Sequence, residues 1–136
     1  MLAEPAADLK RAKTILCLDG GGGLLVGLGL LGLHDFFAEL FRFPVELVKL
    51  IGAANLLYGL YSGTLAARAL AGRFPGRRTV AALIVANALW AVACLALLIF
   101  LGTLEFRLGA LHVAAECLFV GWLATAEGRH VLPLAK

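Results

Sequence analysis

From Thr79 to Leu104 the chain runs for 26 residues without a charged side chain, whereas about 20 apolar helical residues suffice to cross the hydrocarbon core of a bilayer. A soluble chain of 136 residues has too high a ratio of surface to volume to hide such a run. Residues 50–67 carry no charge over 18 positions, residues 108–126 carry only Glu116, and residues 14–33 carry only Asp19. These stretches predict membrane-spanning helices at 14–34, 47–71, 79–103 and 107–127. The expected fold is all-α, a transmembrane antiparallel four-helix bundle built as a single integral membrane domain over residues 1–136. Composition agrees: 62% of residues are hydrophobic and 15% charged, with a mean hydropathy of +0.94, against roughly half apolar and a quarter charged in soluble domains. Most soluble enzyme folds, disorder and a charged tail are thereby excluded.

Lysine and arginine placement predicts the orientation. With the N-terminus inside, nine basic residues are cytoplasmic (Lys10, Arg11, Lys13, Arg68, Arg73, Arg77, Arg78, Arg129, Lys136) and three are external (Arg42, Lys49, Arg107). Positive charge accumulates on the cytoplasmic side, so both termini are expected there. The basic cluster ahead of the first apolar run resembles a signal peptide, but Asp19 interrupts the run and no small-x-small cleavage site follows it before His34. The first span is therefore read as retained, in a bacterial inner membrane.

The connections follow from turn chemistry and polarity. Gly72 to Arg78 holds Pro75 and Gly76 among arginines, a short turn at headgroup level. Asp35 to Lys49 mixes Phe36, Phe37, Phe41 and Phe43 with charges and breaks at Pro44, which reads as an aromatic belt in the outer interface.

Ionisable groups inside a span are expensive and face protein or a cavity. At 100° per residue, Glu105, His112, Glu116, Leu123 and Glu127 share a 60° stripe on the fourth helix. Asn55, Tyr58 and Ser62 share a face of the second helix, as do Asn87, Trp90 and Cys94 of the third; Asp19, Gly22 and Gly23 align on the first, with His34 at the edge. Four such faces predict a polar seam. Depth sorts it into an outer layer of Asn55, Tyr58, His112 and Glu116, with His34 beside it, and an inner layer of Asp19 and Asn87. The candidate polar pocket is thus Glu116, His112, Asn55, Tyr58, Asp19 and Asn87. The competing reading is that these groups only tie helices together by hydrogen bonds.

Glycine carries a second signal. Gly23-xxx-Gly27 and Gly59-xxx-Gly63 are spacings that let backbones approach closely, within a bundle or across a homodimer. The run Gly20 to Gly23 lacks the strand and the Gly-Lys-Ser/Thr ending of a phosphate loop, so nucleotide is not expected; a local break in the first helix, lining a cavity, is the functional reading. Ala54-Asn55-Leu56-Leu57-Tyr58 and Ala86-Asn87-Ala88-Leu89-Trp90 echo one another, which in so Ala- and Leu-rich a chain reads as coincidence. Cys17, Cys94 and Cys117 lack Cys-x-x-Cys spacing and read as small buried hydrophobes. The net charge of +3 is not gathered into a nucleic-acid-binding stripe, and no metal or cofactor motif is present.

These residues give the chain a resemblance to small bacterial integral membrane proteins of four helices. It rests on Asp19-Gly20, the aromatic-x-x-Pro of Phe41 to Pro44, Tyr61-Ser62, the Asn87 and Trp90 pair, and Glu116 with Glu127. The resemblance implies a fold and brings no activity with it.

Two functions are expected from the residues. One is a structural or accessory component, not an enzyme, that packs with itself or within a larger membrane complex. The alternative is a small dimeric proton- or cation-coupled transporter using Glu116 or Asp19. Size and helix count resemble those of the small multidrug-resistance proteins, whose essential Glu lies in the first helix, where this chain has Asp19. A haem anchor through His34 and His112 is the weakest reading.

Overall fold

In the computed structural model, which describes residues 4–101 and 107–136, the chain forms five α-helices. They are α1 (Glu4–Gly32), α2 (His34–Phe41), α3 (Val45–Leu70), α4 (Arg77–Leu101) and α5 (Arg107–His130), followed by a 3-10 turn at Leu132–Leu134. Four segments are long and apolar enough to cross a membrane: Ala6–Gly32, Val45–Leu70, Arg77–Leu101 and Arg107–Leu134. They pack antiparallel, and Leu25, Leu57, Leu89, Ile99, Phe100 and Leu118 stand outward with more than half their surface exposed. In water that would be a liability; against acyl chains it is the solvated surface. The chain is a multi-pass protein in contact with lipid.

The expected spans 47–71, 79–103 and 107–127 fall on α3, α4 and α5, although residues 102–106, and with them Glu105 and the end of the third expected span, lie outside the described residues. The first helix reaches beyond the expected span at its start and stops two residues short of its end. α1 begins at Glu4, ten residues before Thr14, because residues 4–13 are mostly good helix formers with acids ahead of bases, as the helix dipole favours. It ends at Gly32, before His34. Leu33 is a turn residue, and His34 opens the separate helix α2.

The glycine run also departs from expectation, since α1 is continuous through Gly20 to Gly23. An unwound turn would expose backbone groups that only a helix satisfies in lipid, and here the glycines serve close packing. A Cβ on Gly20 would lie 2.6 Å from Gly63 Cα, and one on Gly23 2.8 Å from Gly59 Cα. Gly27 meets the Leu56 backbone equally closely. Both small-residue spacings are thus used where α1 crosses α3, the most extensive helix contact, with α4 on α5 next. The molecule is two antiparallel pairs. α3 and α4, despite the short turn joining them, hardly touch along their length.

Turns close both ends. Gly72 has φ +80°, a left-handed conformation natural to glycine, and Arg73 N–H donates to Arg68 O at 2.8 Å, capping α3. Arg42 takes the same role after α2, with φ 57° and Phe43 N–H donating to Ala38 O at 3.0 Å. At the end bearing both termini, Ala12, Leu16, Leu65, Val80, Leu83 and Leu123 form one apolar core, over which Val131 and Ala135 fold. Arg77 N–H donates to Lys136 O at 2.9 Å there. At the opposite end Leu30, Phe41, Phe43, Val48, Ile51 and Val113 form a second core. The segment expected as an interfacial belt therefore turns inward in part: Ala38, Phe41 and Phe43 are buried, while Phe36 and Leu40 remain exposed.

Candidate functional site

The polar side chains lie between these two apolar cores. Asp19 from α1, Asn55 and Tyr58 from α3, Asn87 from α4, and His112 and Glu116 from α5 all line one cavity of about 630 Å³ between the helix pairs. All six residues of the expected pocket come together in it. Most of the remaining wall is small or apolar, including Gly22, Val26, Ala54 and Ala93.

Two carboxyl centres divide the cavity. At the first, Glu116 Oε1 accepts from Asn55 Nδ2 at 2.5 Å and from Trp90 Nε1 at 2.6 Å. Its other oxygen faces His112 Nε2 at 3.4 Å. Among the described residues neither that oxygen nor that nitrogen makes a geometrically sound hydrogen bond. Phe41 stacks on the His112 ring with centroids 4.9 Å apart, so the core beyond α2 closes this end. At the second centre, Asp19 Oδ2 accepts from Tyr58 Oη at 2.8 Å. Glu127 Oε2 accepts from Asn87 Nδ2 at 3.1 Å, and Glu127, Asn87 and Ser62 lie near Asp19. Two neighbouring buried carboxyl groups disfavour a second negative charge.

The echoed Asn-x-x-aromatic segments explain the layout. Because α3 and α4 are antiparallel, Asn55 comes level with Trp90, and Tyr58 with Asn87. Glu116 receives its aromatic donor from α4, the partner helix in its own pair, and its amide donor from α3 of the other pair. The second centre draws on the same two helices, with Tyr58 of α3 donating to Asp19 and Asn87 of α4 donating to Glu127. The short motif thereby supplies one donor to each centre from each helix.

Tyr58 is consequently misplaced in the sequence-based layering. It lies one helical turn beyond Asn55, and its long side chain carries the hydroxyl to Asp19 in the other layer. His34 also leaves the seam: its Nδ1 is 2.8 Å from Leu31 O and its Nε2 3.5 Å from Asp35, as befits a residue at the first turn of α2. Cys17 is exposed, not buried; Cys94 is buried, and Cys117 Sγ donates to Ala91 O at 3.3 Å. The candidate set omitted Trp90 and Glu127. Glu127 is fully buried, and its position on the acidic stripe of α5 was the available signal. Trp90 shared a face with Asn87, but nothing in the sequence joined its indole to Glu116. No group of three or more His, Cys, Asp or Glu among the described residues is placed to hold a metal ion.

Protein-family models, curated proteins and solved structures yield no match to this chain, so neither family nor homologue is identified for the four-helix membrane architecture.

Proposed function

We propose that the chain is a small carrier of the bacterial inner membrane, both termini cytoplasmic, whose central cavity exchanges a proton or an apolar-bodied cation at Glu116. One observation carries this reading. Glu116, with its second oxygen 3.4 Å from His112 Nε2, lines a cavity large enough for a small organic molecule. Polar groups that only tie helices together would be expected to close upon one another and leave no such volume. The apolar wall suits the body of a lipophilic cation, and the carboxyl group offsets its charge.

The accessory reading rests on the glycine faces, the polar seam and the placement of basic residues. Gly20, Gly23, Gly27, Gly59 and Gly63 meet within the monomer, which leaves less for it to rest on. The nine-to-three distribution of basic residues supports the orientation.

The test is uptake of tetraphenylphosphonium into proteoliposomes under an imposed pH gradient. Wild-type protein is expected to move the probe, and Glu116→Gln, which keeps an acceptor for Asn55 and Trp90, is expected to lose the flux while staying folded. Absence of both probe flux and proton flux with the wild-type protein overturns the carrier reading.

A further inference from the structure

Beside the central cavity, α1 and α5 enclose a separate groove of about 550 Å³ at the end of the bundle that bears the termini. Its rim is basic: Lys10 and Arg11 come from α1, and Arg129 from α5, with the His130 imidazole beside them. Among the described residues no acidic side chain lines it, and none of these four forms an ion pair. Deeper in, Ile15, Leu18 and Trp122 replace the charges. The antiparallel run of the helices sets this order. The first turns of α1 meet the last turn of α5, so the basic residues gather at one level. Two turns further along α1 and earlier along α5, Leu18 and Trp122 share an apolar level.

We infer that this groove holds an anionic phospholipid, its phosphate among Lys10, Arg11 and Arg129 and an acyl chain along Leu18 and Trp122. Uncompensated cations at the membrane surface attract anionic headgroups, and arginine forks match phosphate oxygens. The apolar floor is what distinguishes a lipid from a free phosphate: an inorganic anion would leave that part of the groove unfilled. The site is independent of Glu116, from which it differs in lining residues, charge and depth.

Native mass spectrometry of the detergent-solubilised full chain, mixed with phosphatidylglycerol or with phosphatidylcholine, tests the assignment. Phosphatidylglycerol is expected to be retained selectively. The Arg11→Gln/Arg129→Gln variant should lower that retention about thirtyfold, while Arg73→Gln/Arg78→Gln, which removes two arginines that do not line the groove, should leave it near the wild-type level. A second readout serves if the groove variant folds poorly. In Trp90→Phe protein Trp122 is the single tryptophan, and brominated phosphatidylglycerol should quench it more than brominated phosphatidylcholine does. Equal retention and equal quenching by the two lipids, equal loss in both arginine variants, or displacement of the lipid by millimolar inorganic phosphate would each overturn the proposal.

Discussion

Asn55 Nδ2 lies 2.5 Å from Glu116 Oε1 and so joins α3 to α5 across the centre of the molecule, between helices that share little backbone contact. The same Asn nitrogen also donates to Ile51 O at 3.0 Å, which fixes its rotamer. A double-mutant cycle of Asn55→Ala and Glu116→Ala is expected to give a coupling of about 0.6–1.7 kcal/mol, the range of interhelical hydrogen bonds in membrane proteins. Unfolding titrations in mixed micelles measure it. Strict additivity would show that the contact contributes nothing to stability.

The α1–α3 crossing makes a prediction with an internal control. Gly23→Ala places a methyl against backbone that has no side chain to move, and about 1–3 kcal/mol of stability should be lost. Gly21 has open space around its would-be Cβ, and Gly21→Ala should gain about 0.5–1 kcal/mol from helix propensity alone. Melting temperatures in one detergent compare the two. A neutral Gly23→Ala would contradict the close approach.

Tyr58→Phe removes the hydroxyl that Asp19 accepts and leaves the ring in place. A buried carboxyl that loses a donor costs about 1–3 kcal/mol. The variant should therefore melt below wild type, whereas Tyr61→Phe should cost less, because Tyr61 is an exposed residue bonded to Thr79 O. The ranking of the two melting points decides the matter.

Phe41 covers one face of His112. Replacing it with Ala should raise the rate at which diethylpyrocarbonate modifies His112, read residue by residue by mass spectrometry, while His34 and His130 react as before. An unchanged His112 rate would mean that α2 does not shield the cavity end.

For the orientation, Arg73→Cys and Glu46→Cys, each in a background with Ala at 17, 94 and 117, should respond oppositely to a membrane-impermeant maleimide applied to intact cells. Position 46 is expected to label and position 73 to be protected until the cells are broken. The reverse pattern would invert the topology.

The long apolar runs, two without charge and two with a single acid, by themselves determined that the chain is helical with four segments able to span a membrane. In lipid a backbone must satisfy its own hydrogen bonds, so length and polarity leave little choice. Helical angle was also enough to mark Asp19, Asn55, Asn87, His112 and Glu116 as inward-facing, because a polar side chain has only the interior to turn to. Tertiary structure decided the rest: that Tyr58 serves Asp19, that Trp90 joins Asn55 on Glu116, that Glu127 belongs to the second centre, and that the glycine run packs without unwinding. An angle on one helix says which way a side chain leaves its own axis. Which group it meets depends on the rotation and register of its neighbours, and those are fixed here by the contact of Gly20, Gly23 and Gly27 with α3 and by the turn at Gly72.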